Sequence, residues 1–336
     1  MARIAHRFHP PLGARSVFAP DVPEAEALLK AFFGVECVLT SSGRAALNLI
    51  FADFRLSRYR DIISCPRLIS RCVIDVIARH GFPKDSAQKA PAEALLRYHQ
   101  YGLPQEPTQA RGTGPIVEDS CHAFFWTGNM SGAAWLGDAA IISLPKFFSL
   151  SSMVGAALVK SVEMAARLRV LRDACAPFSD GEQQAQSQAF LSGYDGDPAG
   201  ALDLERLYLE RTLRMRPHRR DVLGLPQDLA EIGAIREKRR ALGRRLGEAA
   251  PSNPWGEEAL IGWLPFAWPV FIADQAKRDV LVRRARALGF DAGIYSVDAA
   301  RNQFAPEYRE VVLLPCHHRI PSEALDGLLS AIVETA

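Results

Sequence analysis

Lysine is scarce in this chain: only seven of its 40 basic residues are Lys, namely Lys30, Lys84, Lys89, Lys146, Lys160, Lys238 and Lys277. Charge of one dominant sign is missing as well, because 38 acidic residues leave a net charge of +2. That balance gives no global electrostatic reason to expect a nucleic acid or a membrane surface as partner. Long hydrophobic runs are absent too, and no stretch approaches the ~18 uncharged apolar residues of a membrane span. The six cysteines contain no CxxC pair. Apolar neighbours such as those of Cys37 and Cys65 fit buried free thiols better than a disulfide framework. The opening MARIAHRFHPPLGARS is basic, carries two consecutive prolines and has no apolar core, so no signal peptide is expected. A reducing cytoplasm is the consistent location.

What is present is an ordinary globular composition over 336 residues, which suggests about two domains. A helix is expected over Val22–Phe33, with Leu28, Leu29, Phe32 and Phe33 as its apolar stripe and Gly34 as its stop. Short apolar runs at Cys37–Thr40 and Ile62–Cys65 lead into periodic helices at Arg44–Phe54 and Leu68–Arg79. Further strands are expected at Ala94–Tyr98, Pro115–Glu118, Ala139–Leu144 and Gly155–Val159. Alternating strands and helices imply an α/β fold with a mostly parallel sheet covered on both faces. Ligands of such sheets sit beyond the carboxyl ends of the strands. After Val159 the pattern is helical and charged to about Ala249, with Gly181–Gly200 read as a surface loop. A strand at Trp268–Ala273, a helix at Lys277–Leu288, a strand at Asp291–Tyr295 and a helix at Pro321–Val333 follow. The expected division is 1–234 for a large domain and 235–336 for a small α+β domain.

Three strand ends carry chemistry. At Thr40–Leu47, TSSGRAAL, a Ser-Ser-Gly turn opens a helix, so Ser42, Gly43 and Arg44 suit either a phosphate or an ordinary N-cap. At Ile116–Ala123, IVEDSCHA, two carboxylates end an apolar strand and need partners or a cleft. Asp119 could pair with a positive ring nitrogen and His122 could hydrogen-bond or stack on a ligand; a strand-end cap is the alternative. At Gly137–Phe148, GDAAIISLPKFF, Lys146 follows an apolar strand and precedes two phenylalanines, while the other six lysines sit among polar neighbours or in turns. Desolvation favours the neutral amine, as Schiff-base chemistry requires, although a snorkelling lysine has the same surroundings. The basic run Arg211–Arg220 reads as a solvated or interface surface. Cys316-His317-His318 reads as a strand end beside the last helix.

A phosphate cradle, a carboxylate for a pyridinium and a lysine for an aldehyde, in that order, match the needs of pyridoxal 5'-phosphate, PLP. Here the chain resembles the DegT/DnrJ/StrS family of PLP-dependent sugar aminotransferases over nearly its whole length. SSGRAALNLIF, RYHQYGLPQ, IVEDSCHAFF, GDAAIISLPKFF and VVLLPCHHRIPSEALDGLLSAI carry the likeness. The resemblance implies the PLP-dependent transferase fold of aspartate aminotransferase type (fold type I). It implies that Lys146 takes the cofactor aldehyde, Asp119 holds the pyridine nitrogen, and His122 meets the ring hydroxyl or ring face. Ser42, Gly43, Arg44 and Ser143 would bind the phosphate. It further implies amino transfer from glutamate to a nucleotide-linked keto-sugar, in a homodimer with no metal. A related sugar dehydratase, or a non-catalytic regulatory protein keeping the fold, are the alternatives. The chain departs from the usual pattern in the three-residue step from Ser143 to Lys146 and in Arg67-Leu68-Ile69-Ser70, where many members carry a ring-stacking aromatic. No counterpart of the family's cross-subunit Asn segment is found.

Overall fold

The computed structural model describes residues 5–10, 20–106, 114–124, 137–150, 153–177, 179–182, 184–185, 206, 214–250 and 254–335. Helix α1 (Val22–Phe33) begins on a capping box, in which Asp21 accepts from the Glu24 backbone N–H and the Glu24 carboxylate accepts from Asp21 N–H. It ends on Gly34, whose φ of 71° is the left-handed conformation that glycine adopts without strain. Its buried face includes Ala25, Leu29 and Phe33, while Leu28 is exposed. The face also takes in Glu26, a charge buried because Arg169 and Arg172 bond to it.

The large sheet contains β1 (Glu36–Thr40), β2 (Ile62–Cys65), β3 (Phe82–Asp85), β4 (Ala94–Tyr98), β5 (Ile116–Asp119), β6 (Ala139–Ser143) and β7 (Gly155–Val159). Their spatial order is β1-β7-β6-β5-β4-β2-β3, and β7 alone runs against the rest. Strands β1, β4 and β7 are buried throughout, which explains why they read as continuous apolar runs rather than alternating ones. Helices α2 (Gly43–Asp53), α3 (Arg71–His80) and α4 (Val162–Asp173) cover one face of this sheet, where Val38, Leu96, Val117 and Ile141 point. The helix expected from Leu68 starts at Arg71, because the Ser70 carbonyl accepts its first backbone bonds, from Val73 and Ile74. Helix α1 and the C-terminal unit enclose the opposite face, with Leu39, Ile142 and Leu158.

The C-terminal unit holds α5 (Leu225–Ala230), α6 (Ile232–Ala249), α7 (Glu257–Trp263), β8 (Ala267–Val270), α8 (Gln275–Ala287), β9 (Gly293–Asp298), β10 (Tyr308–Pro315) and α9 (Ser322–Val333). Its sheet is antiparallel, in the order β8-β10-β9. Residues 5–10 lie against this unit, where His6 bridges to Phe290. Most of the expected surface loop Gly181–Gly200 lies outside the described residues; its described positions 181, 182, 184 and 185 are helical. In the basic run, His218 and Arg220 lie 3.1 and 3.5 Å from Asp180, whereas Arg211 is outside the described residues. All six cysteines are free. No helix among the described residues is long and apolar enough to cross a membrane.

Candidate active site

The reversed strand β7 builds the site. Its first residue, Gly155, pairs with Thr40 at the end of β1 on one side and with Ser143 at the end of β6 on the other. Three chain segments therefore converge at the carboxyl edge of the parallel strands, where ligands of such sheets collect. Ser42 is the N-cap of α2: its hydroxyl accepts from Ala45 N–H at 3.1 Å, and its carbonyl accepts from the Thr40 hydroxyl at 2.9 Å. Gly43 and Arg44 are among the first residues of that helix, whose N–H groups have no intrahelical acceptor. A side chain at Gly43 is excluded, because a Cβ there would meet Cys121 Sγ at 2.5 Å.

Strand β5 separates its two acids by the alternation of a strand. Glu118 faces Arg97 and His99, bonding to the Arg97 guanidinium and to His99 Nε2 at 2.9 Å. His99 Nδ1 accepts from Gln105 N–H at 3.1 Å, so Nε2 carries the proton and donates to Glu118. Burial pulls the Glu118 carboxyl upward, but the hydrogen bond from His99 and the charge and hydrogen bond of Arg97 outweigh it and hold its pKa below the usual value. Asp119 points to the other face and is also buried. Its Oδ1 accepts from Cys121 N–H at 3.0 Å. Burial raises its pKa, opposed by that N–H and by the charge of Lys146.

Lys146 sits in a short 3-10 turn, Leu144–Lys146, between β6 and β7. Its Nζ lies 5.4 Å from the centre of the Phe266 ring, an apolar wall supplied by the C-terminal unit. The same Phe266 ring lies nearly parallel to His122 at 4.9 Å, and Tyr101 lies nearly parallel to His122 at 5.6 Å. Packed among rings, His122 is driven well below its ordinary pKa by burial, with Lys146 adding to the effect, so the imidazole is neutral. Its Nδ1 is buried and has no hydrogen-bond partner.

Ser42, Gly43, Arg44, Asp119, His122, Ser143 and Lys146 all line one cavity of about 140 Å³. Sequence reasoning missed Tyr98, Ser70, Cys121 and Met153, which line it too. The apolar-run signal placed Tyr98 in a strand without saying which face it takes. Among the described residues, no group of three or more His, Cys, Asp or Glu could hold a metal ion.

These features suit PLP. A helix N-terminus that opens on Ser42 and Gly43 at the cavity wall fits a phosphate. A buried acid fits a pyridinium, the orphaned Nδ1 of His122 fits a ring oxygen, and a half-buried amine beside an aromatic ring fits an aldehyde.

Residues 29–195 match the model of a family described as "Putative PLP-dependent aminotransferase". A search of curated protein sequences gave no match. Among solved structures, the chain is similar to Helicobacter pylori PseC, an aminotransferase of pseudoaminic acid biosynthesis, at 13% identity and a TM-score of 0.66, covering 99% of both chains. It is similar to a DegT DnrJ EryC1 StrS aminotransferase from Brucella abortus, at 17% identity and a TM-score of 0.61, over 95% of this chain and 91% of that one. S. venezuelae DesV is 18% identical with a TM-score of 0.62, over 94% and 89% of the two chains. Likeness at these identities establishes the fold, a PLP-dependent transferase fold of type I. The family match over residues 29–195, on a chain of this fold, indicates a PLP-dependent aminotransferase.

Proposed function

We propose that the chain moves an amino group from an amino acid, glutamate being the expected donor, to a keto-sugar carried on a nucleotide. The observation that carries this reading is the convergence of Lys146, Asp119 and the Ser42–Arg44 turn on one cavity. Sugar aminotransferases among the structural relatives support the acceptor class.

PLP, when bound, withdraws electrons from the substrate carbon that bears the amine. The chain's residues do the rest. Ser42, Gly43, Arg44 and Ser143 hold the phosphate at the α2 N-terminus. Asp119, desolvated at the cavity wall, would hold the ring nitrogen and keep it protonated. His122, with its Nδ1 unpartnered, would bond the ring oxygen. Lys146 would hold the cofactor by its aldehyde, and its Nζ, once free as an amine, would serve as the base at the substrate carbon. Phe266 keeps water from that amine. We also propose a homodimer in the cytoplasm; six free thiols fit a reducing compartment.

Incubating the PLP-loaded protein with glutamate tests the reading. It should release 2-oxoglutarate in one-to-one ratio with the enzyme and leave the cofactor in its amine form, which a nucleotide-linked keto-sugar then returns to the aldehyde. Loaded protein that is inert to every amino acid would contradict it.

A further inference from the structure

Two aromatic side chains line the cofactor cavity among the described residues, His122 and Tyr98. His122 is already packed against Tyr101 and Phe266, and its nearest approach to Tyr98 is edge-on, at 6.1 Å and 64°. Tyr98 is the last residue of β4, and in the parallel register of β4 and β5 it stands directly beside Asp119. Register partners in a sheet project to the same face. Arg97 and Glu118 point together to the opposite face, where they pair. The Tyr98 ring is thus fixed next to the carboxylate that faces the cavity.

The phenol is also tethered. Tyr98 Oη and Ser70 Oγ are 2.9 Å apart. Ser70 is the N-cap residue of α3 and caps no backbone N–H with its side chain. Its hydroxyl bonds to Tyr98 instead. Burial, with the charge of Asp119 beside it, holds the phenol's pKa well above the ordinary value. It therefore stays protonated, and either hydroxyl can donate in the bond between them.

We propose that Tyr98, tethered by Ser70, is the aromatic wall that positions the PLP ring so that its nitrogen meets Asp119. A planar ring bound beside Asp119 must lie against the neighbouring register position, and that position carries an aromatic face. This inference rests on the PLP reading above, and the experiment separates the two.

Apoprotein variants are titrated with PLP by fluorescence quenching, and the visible circular dichroism of the bound cofactor is recorded. Tyr98→Leu removes the wall and should weaken PLP binding about tenfold, with a changed dichroic band. Tyr98→Phe and Ser70→Ala each remove only the tether and should weaken binding about threefold. The double variant Tyr98→Phe with Ser70→Ala should be no weaker than either single one, since both delete the same bond. A folded Tyr98→Leu protein with wild-type affinity and dichroism would overturn the proposal. If Tyr98→Leu fails to fold, the tether cycle decides, and additive or absent effects overturn it. Wild-type protein that binds no PLP would overturn the functional reading and this inference together; wild-type binding with an unaffected Tyr98→Leu overturns the inference alone.

Discussion

Gly155 lies so close to Gly43 that a Cβ added to Gly155 would come within 2.3 Å of the Gly43 backbone nitrogen. The start of β7 therefore presses on the Ser42–Gly43 turn proposed to hold the phosphate, and only a bare backbone fits there. Gly155→Ala should push this turn outward. The expected cost is about 1–3 kcal/mol of stability, with PLP binding weakened about tenfold or more. Gly233→Ala, in a helix with open space around it, is the control and should be neutral or slightly stabilising. Thermal unfolding and PLP titration of the two variants check this.

Asp119 should trade stability for function. Its folded-state pKa is raised by burial, above the ~3.9 of an unfolded chain. Its contribution to stability is therefore present below about pH 3.9 and lost as pH rises through the folded value. In the apoprotein, Asp119→Asn should raise the unfolding midpoint at pH 7, by an amount that shrinks toward pH 4. The same substitution should lower amino transfer about a hundredfold or more, because the ring nitrogen loses its charged partner. Unfolding of the apoprotein across pH, beside a single-turnover assay, measures both effects.

Glu118 carries the opposite sign. Its pKa is lowered in the fold by His99 and Arg97 against the pull of burial, below the ~4.3 of an unfolded glutamate. Its stabilisation is therefore present above about pH 4.3 and lost as pH falls through the folded value. Glu118→Gln leaves Arg97 buried without its anion and should cost about 3–5 kcal/mol at pH 7. Urea unfolding at pH 7 and in acid should show the wild-type advantage vanish at low pH.

The expected site residues that line the cavity were legible in the sequence because each sits at or just beyond a strand end, where a few adjacent residues switch from apolar to polar. Val22–Phe33, Ile62–Cys65, Ala94–Tyr98 and Gly155–Val159 fall where periodicity and apolar runs placed them. Strand β3 was not legible: Phe82–Asp85 contains a proline and two charges, as a partly exposed edge strand can. Glu118 and Asp119 looked alike as neighbouring acids, and only strand alternation sends one to Arg97 and the other to the cavity. Phe266, 120 positions beyond Lys146 by residue number, reaches the site through tertiary packing that no local pattern encodes. Tyr98 was visible as a strand residue, but its role depends on the β4–β5 register.

The central claim is that Lys146 holds the PLP aldehyde in this cavity, and borohydride reduction of the loaded protein tests it most directly. Reduction followed by peptide mapping should find the phosphopyridoxyl group fixed on the peptide carrying Lys146, and Lys146→Ala should fix none there while still binding PLP reversibly. A label on another lysine, or an unlabelled wild-type protein in saturating PLP, would contradict the account.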